Sequence, residues 1–260
     1  MLFVGIDLAW SEKNNTGIAI IEGDEKRGRL LNADIVVSDS EITDYVSGKV
    51  GKKDALIAID APLVVPNVEG RRIAEKIVGD LFRKYDAGAH PANRTRLGAW
   101  SNGKIRGEEL VKALQELGFK HNPNVKGMER TRKLFEVYPH PSTVVLFGLN
   151  SIIKYKAKPN REEAFRISEF KRYERLIKGL SSANPSLKIG SNVMLGDKMN
   201  AMRQSELKKH EDMLDAVFCA YIAYYYWKHP DKCAILGSMK EGYIVTPIFD
   251  HMKGTQKNLF

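Results

Sequence analysis

The stretch MLFVGIDLAW, residues 1–10, decides the fold class, because it sets one carboxylate, Asp7, in an otherwise apolar run. Apolar residues on both sides of the alternation are typical of a central strand that is covered on both faces. An ionised carboxylate there is costly unless a cation, a set of hydrogen bonds or a metal compensates it. Taken alone, Asp7 is equally well explained by hydrogen bonds to backbone amides at a strand end. Other acids must therefore decide its role.

The segments that follow predict a mixed sheet. Apolar runs that read as strands occur at 2–9, 16–21, 29–37 and 55–61. The first three are joined by the short polar connections SEKNN and EGDEKRG, which favour an antiparallel meander. A helix capped by Ser38 or Ser40 leads to the fourth strand, and a strand reached through a helix is normally parallel to the strand it joins.

The remaining chain predicts one α/β domain over residues 1–260, with residues 62–133 as a mostly helical insertion or cap. Later elements are a strand at 134–140, helices at 161–180 and 206–226, and a closing hairpin formed by CAILGS and EGYIVTPIF. Three antiparallel strands, then parallel strands, with helices on the faces, are the order of a ribonuclease H-like fold.

Three further acids repeat the pattern of Asp7. Asp60 follows the apolar strand ALIAI, and a parallel pairing of the first and fourth strands would bring it near Asp7. Asp212 and Asp215 are three residues apart on a strongly apolar helix, and they therefore share one helical face. Glu211 is an alternative to Asp212 as the inward acid. Acids in a first helical turn that favour the helix dipole would explain this pair without any site.

Glu136, a lone acid in FEVYPH, is a further catalytic candidate, although a surface position on its strand would explain it equally well. His140 beside it is more typical of a structural histidine. Converging carboxylates repel one another unless cations or protons compensate them. The oxygen donors Asp7, Asp60, Asp212 and Asp215 suit Mg²⁺ or Mn²⁺, and a pair of such ions activates water and stabilises the leaving oxygen of a phosphodiester.

The charge balance points to a polyanionic partner. The chain has 260 residues and a net charge of +9, from 41 Lys and Arg against 32 Asp and Glu. The excess is concentrated in two stripes, residues 83–106 and 154–178, although solvated helix faces would also account for them. Cys219 and Cys233 lack the spacing of a zinc or redox motif, and no apolar run is long enough to span a bilayer. We therefore expect a cytoplasmic protein with reduced thiols and no membrane association.

The segments GIDLAW, IAIDAP, EVYPH, YKAK, HEDMLDAV and EGYIVTP resemble the domain of unknown function 429 family from Met1 to about Phe249. The resemblance implies a ribonuclease H-like fold and nuclease activity. The chain also resembles, more distantly, the Holliday-junction resolvases. The four metal-binding acids of those enzymes match Asp7, Asp60, Asp212 and Asp215. Glu136 has no counterpart among them. The same resemblance suggests that four basic residues contact phosphate: Arg71, Arg72, Lys154 and Lys156. Basic side chains that simply keep the surface soluble would explain these positions as well.

Two other classes of protein compete with a nuclease. Actin and sugar-kinase ATPases resemble GIDLAWS at their first phosphate loop, but their second loop needs backbone amides where this chain has DAPLVVP, and proline has none. A non-catalytic nucleic-acid-binding or scaffold protein on the same fold would keep the acids as relics. We interpret the chain as a two-metal phosphodiesterase in which Asp7 bridges the ions.

Overall fold

A seven-stranded mixed sheet forms the centre of the molecule, in a computed structural model that describes residues 1–190 and 193–253. Its strands are β1 (Leu2–Asp7), β2 (Thr16–Gly23), β3 (Arg27–Val36), β4 (Ala55–Asp60), β5 (Lys120–His121), β6 (Arg132–Glu136) and β7 (Ser186–Lys188). They lie in the order β5-β6-β4-β1-β2-β3-β7. The β1–β2 and β2–β3 pairs are antiparallel and the other pairs are parallel. This confirms the predicted mixed sheet, in which the first three strands are antiparallel and the remaining pairs are parallel.

Helices cover both faces of the sheet. They are α1 (Asp39–Val50), α2 (Ile73–Phe82), α3 (Arg94–Gly98), α4 (Arg106–Glu116), α5 (Pro139–Leu146), α6 (Glu163–Gly179) and α7 (Gln204–Lys228). On one face α7 packs over Phe3, Ala19 and Ala58, together with α6. On the other face α1 and α4 pack over Val4, Ile6 and Ile57. The continuous apolar run of β1 is explained by this double coverage, because its alternate residues enter two different cores.

Helix α7 approaches the sheet closely, and this approach depends on two glycines. A Cβ atom at Gly5 would lie 2.0 Å from the carbonyl oxygen of Ala216, and one at Gly17 would lie 1.9 Å from that of Asp212. Any larger residue at either position would push α7 away. These contacts hold the middle of α7 directly over the C-terminal end of β1 and the start of β2.

Several element boundaries differ from the sequence predictions. The predicted strand at 134–140 is wrong in its second half, because a helix, α5, begins at Pro139. Proline suits a first helical turn, where its missing N–H leaves no hydrogen bond unmade. Residues 62–133 contain α2, α3, α4 and the short strand β5, with β6 beginning at Arg132. The closing hairpin is confirmed as β8 (Cys233–Ser238) and β9 (Gly242–Pro247), which pair as a separate sheet.

Local signals explain how several elements begin. Ser38 caps α1 by accepting a hydrogen bond from the Glu41 amide, which selects it over Ser40. Cys219 is buried in α7 and Cys233 is half-buried, and both are free thiols. Across the described ranges, no helix is long and apolar enough to cross a membrane.

Candidate metal and nucleic-acid site

Asp7 and Asp60 lie side by side at the carboxyl ends of two parallel strands. They are register partners in the β1–β4 pair, so their side chains share one face of the sheet on strands about 4.8 Å apart. Both are half-buried. Burial is the main reason that the pKa of Asp7 lies well above its usual value, and the charges of Asp215, Asp60 and Asp212 raise it further. Strands β1 and β4 each end on one aspartate, and their parallel pairing brings these two acids together.

Helix α7 adds Asp212 and Asp215 above the same face. Asp215 is completely buried and Asp212 nearly so. Their position follows from the contacts of Gly5 and Gly17, which admit the α7 backbone against the sheet. The charges of both α7 acids raise the pKa of Asp7, so the structure brings all four predicted metal ligands into one electrostatic cluster.

Lys156 is the cation that compensates this cluster. Its Nζ lies 2.8 Å from Oδ2 of Asp215, and its side chain is 31% exposed. Burial lowers the pKa of Lys156, but Asp215, Asp7 and Asp60 outweigh burial and raise that pKa well above its usual value. The predicted role of Lys156 was a phosphate contact. In the structure its ammonium group instead pairs with Asp215.

The four acids differ in protonation. Burial raises the pKa of Asp60 to about 7, although Lys156 counteracts it. Asp215 behaves in the opposite way: burial would raise its pKa, but Lys156 and the Tyr155 hydroxyl together lower it below the usual value. That hydroxyl donates to Oδ1 of Asp215 at 2.5 Å. Asp215 is therefore the firmest negative charge of the cluster, whereas burial favours the protonated form of Asp60.

The Lys208 ammonium pairs with both Glu211 and Asp212, and both of these acids are buried. Its Nζ lies 2.7 Å from Oε1 of Glu211 and 2.6 Å from Oδ1 of Asp212. Both acids are buried, at 2% and 3% exposure, so neither excludes the other. The charge of Glu211 raises the pKa values of Lys156 and Tyr155, whereas the charge of Asp212 raises the pKa of Asp7.

Tyr155 and Lys208 are site residues that the sequence interpretation missed. Lys208 was detectable, because it lies three and four residues before Glu211 and Asp212 on one helix, which is the spacing of intrahelical ion pairs. Tyr155 carried only its position next to Lys156 in YKAK as a signal. His140 also lies at this site: burial, reinforced by Lys156, lowers its pKa to about 3, which keeps the imidazole neutral at pH 7.

Glu136 does not share the face of this cluster, although its charge raises the pKa of Asp60. It is the register partner of Ile59, not of Asp60, so strand alternation directs its side chain to the opposite face of the sheet. There it accepts hydrogen bonds from the Leu63 amide at 2.9 Å and from Arg72 at 2.9 and 2.5 Å. Burial raises the pKa of Glu136 to about 7 and Arg72 opposes that rise. The catalytic role predicted for Glu136 lacks support from this geometry.

Arg72 corrects a predicted phosphate contact. Its guanidinium group is buried at 2% exposure and lies between Glu75 and Glu136, 2.5 Å from each. A side chain held by two buried carboxylates has no donor left for a phosphate at the surface. Arg71 is exposed, and Lys154 lies 3.5 Å from Asp86 at the surface, so these two positions remain accessible.

Replacing Arg72 with Met is expected to lower the free energy of unfolding by about 3 kcal/mol, because two carboxylates would stay buried without their cation. Urea denaturation measures the loss. Arg71→Met, next to it but exposed, is the matched control, with an expected change below about 0.5 kcal/mol. Equal losses in the two variants would contradict a structural role for Arg72.

The basic stripes are also partly internal. Arg106 is buried and donates to the carbonyl oxygens of Ala9 and Ser11, each at 2.8 Å, and to Oδ1 of Asp39 at 2.8 Å. Arg166 is buried as well and donates to the Tyr155 carbonyl at 3.0 Å. These two arginines hold backbone segments in place, so the surface charge of the stripes comes from their other members.

The loop after Asp60 does not have the amides of a phosphate loop available. The Leu63 amide donates to Glu136, and the Val65 amide donates to Oε1 of Glu108 at 2.9 Å. Pro62 has no amide to offer. This hydrogen bonding disfavours the ATPase alternative.

The donor set suits a hard divalent cation but is not closed around one. No group of three or more His, Cys, Asp and Glu side chains within residues 1–190 and 193–253 forms a ready-made metal cage. One buried oxygen, Oε2 of Glu211, nevertheless has no hydrogen-bond partner among the described residues, and Oδ2 of Asp215 is paired with the Lys156 ammonium. Carboxylate oxygens of this kind fit Mg²⁺ or Mn²⁺, provided that Lys156 moves aside.

Comparisons with known proteins identify a family for this chain. A family model described as "Protein of unknown function (DUF429)" matches residues 5–241. A search of curated proteins found no match. Among solved structures, the chain is similar to the yeast mitochondrial Holliday junction resolvase Ydc2, with 12% sequence identity, coverage of 86% of this chain and 78% of that chain, and a TM-score of 0.40.

Proposed function

This chain belongs to the DUF429 family, proteins of unknown function, and from that premise we propose that it is a metal-dependent nuclease that hydrolyses phosphodiester bonds. The proposed cofactor is Mg²⁺ or Mn²⁺, and the proposed partner is a nucleic acid, either DNA or RNA. One observation carries the proposal: Asp7 and Asp60 are in register on neighbouring strands, and α7 sets Asp215 and Asp212 over them.

The acids are assigned as metal ligands because their convergence is unfavourable without a compensating cation. The charge of Asp215 raises the pKa values of Asp7, Asp60 and Asp212, which lowers stability, and folds keep such arrangements where function needs them. We assign Asp7, Asp60, Asp212 and Asp215 to the metal shells. When bound there, divalent ions supply an activated water and stabilise the charge that develops on the phosphate.

The other residues of the site orient and compensate the acids. Tyr155 and Lys156 keep Asp215 ionised, which holds one strong ligand ready at neutral pH. Lys208 holds Asp212 and Glu211 together at the mouth of the cluster, where its side chain is 55% exposed. Neutral His140 adds a polar group without adding positive charge to the cluster.

A non-catalytic nucleic-acid-binding protein is the second candidate, and Lys156 favours it. An ammonium group 2.8 Å from Asp215 balances part of the acidic charge with no metal at all. In such a protein the acids and Lys156 would form a closed ion-pair network. The two candidates differ in one property: only the nuclease needs Lys156 to give way to a divalent ion.

Cleavage of labelled oligonucleotides tests the proposal. We expect the purified protein to cut DNA or RNA in Mg²⁺ or Mn²⁺ and to be inactive in EDTA. The substrates are single-stranded, duplex and branched forms of each. Binding in EDTA should weaken steeply with salt, with a log–log slope of about −0.9 per phosphate contacted on duplex DNA. Binding without cleavage in either metal would support the non-catalytic candidate, and no binding would exclude a nucleic-acid partner.

A further inference from the structure

Two exposed tryptophans form an aromatic cluster just beyond the end of β1. Trp10 is 45% exposed and Trp100 is 59% exposed, and their ring centroids lie 6.4 Å apart at an interplanar angle of 86°. The guanidinium carbon of Arg96 lies 5.5 Å from the centroid of the Trp10 ring. We call these three residues the Trp10 cluster. Exposed apolar side chains that lie together mark interaction sites, whereas single scattered ones are a normal feature of protein surfaces.

The backbone that carries Trp10 is held rigidly. Arg106, itself buried, donates to the carbonyl oxygens of Ala9 and Ser11, the residues on either side of Trp10. The Ser101 hydroxyl donates to the carbonyl oxygen of Trp10 at 2.8 Å, which links the two parts of the cluster. An exposed ring on a fixed backbone is preorganised, so binding a ligand there costs little ordering entropy.

The cluster lies close to the acids. Trp10 follows Asp7 by three residues, and a chain of that length spans at most about 11 Å. Successive nucleotides of a duplex strand are spaced by about 3.4 Å along the helix axis, so a strand at Asp7 would reach the cluster within a few nucleotides. The surrounding charge suits a polyanion, because Arg96 and Lys104 are exposed and residues 83–106 contain six basic residues and one acidic residue.

We propose that the Trp10 cluster binds an unpaired nucleobase of the strand held at the acids, with the base stacked on indole and the adjoining phosphate near Arg96. This inference rests on the proposed function and adds to it a requirement for unpaired bases next to the cleavage position. Aromatic stacking tolerates any base, because every base has a π-face, so the cluster selects single-stranded character and not sequence.

Binding of oligothymidylate and of an abasic oligonucleotide of equal length tests the proposal. The two probes carry the same phosphates and differ only in their bases, and EDTA prevents cleavage. Wild type is expected to bind the thymidylate about tenfold more tightly than the abasic strand. Trp10→Ala with Trp100→Ala should remove that difference and leave abasic binding unchanged. Met239→Ala, at another exposed apolar position, is the control and should behave as wild type.

The outcomes separate this proposal from the one on which it rests. Equal binding of both probes by wild type would overturn the base-binding role and leave the nuclease proposal standing. Absence of binding to either probe would overturn the base-binding role, and cleavage of the duplex, branched and RNA substrates would then decide the nuclease proposal separately. A double variant that loses the two probes equally would show a general loss of surface and would also overturn base stacking. So would sedimentation that finds a dimer in wild type and a monomer in the double variant, since the cluster would then bind a second copy.

Discussion

Asp7→Asn is expected to reduce phosphodiester cleavage by at least about a thousandfold, about 4 kcal/mol of transition-state stabilisation, and to keep the fold intact. Asp7 is the acid that faces Asp60 in register and is affected by both α7 acids, so it is the ligand best placed to serve two ions. An amide cannot replace its charge. Asp80→Asn, at an exposed position on α2, is the matched control and should retain full activity. Persistent cleavage by purified Asp7→Asn would defeat the assignment.

The same variant has an expected signature in stability that does not depend on activity. The folded-state pKa of Asp7 is raised, so its ionised form opposes folding, and the penalty grows as the pH rises above the unfolded value of about 3.9. Asn carries no such penalty. We therefore expect the melting temperature of Asp7→Asn to exceed that of wild type at pH 8 and to match it near pH 3. A variant less stable than wild type at pH 8 would contradict the raised pKa.

Gly5→Ala is expected to cost about 4 kcal/mol or more of unfolding free energy, a value reached only by severe packing defects. Its Cβ would lie 2.0 Å from the Ala216 carbonyl and 2.2 Å from the Ala220 amide nitrogen. Both are backbone atoms of α7, which cannot rotate away as a side chain would. Any folded fraction should also lose activity, because α7 carries Asp212 and Asp215.

Gly48→Ala is the matched control for Gly5→Ala. Gly48 lies within α1, and a Cβ there would meet nothing within 4 Å. Alanine has the higher helix propensity, so this change should raise the free energy of unfolding by up to about 1 kcal/mol. Urea denaturation of both variants measures the contrast. A cost below about 1 kcal/mol for Gly5→Ala would contradict the close packing of α7 on β1.

The central sheet was predictable because its strongest signals are local. Strands β1 and β4 are long apolar runs that each end on one aspartate, and the helix between them indicates a parallel pair. The short strands β5 and β7 contain two and three residues, too few to show any alternation. Helix α5, with the sequence PHPSTVVL, was not predicted, and its first two residues were placed in the preceding strand, because its apolar and β-branched residues carry no helical period.

The roles of individual charges were harder to predict, because they depend on tertiary contacts. Predicting the position of Glu136 requires the register of β6 against β4, because a shift of one residue would turn its side chain to the face that carries Asp60. Arg72 and Arg71 are neighbours in sequence, yet one is buried between two carboxylates and the other is exposed. The sequence does not distinguish Lys156 from a surface lysine, because only the fold brings its ammonium group to Asp215.

Crystals soaked in MnCl₂ provide the most direct test of the proposed metal site. The anomalous signal of manganese locates the ion independently of activity. We predict anomalous density among Asp7, Asp60, Asp212 and Asp215, together with displacement of the Lys156 ammonium from its position 2.8 Å from Asp215. The absence of density at these acids at saturating Mn²⁺, with Lys156 still paired to Asp215, would contradict a metal-dependent nuclease.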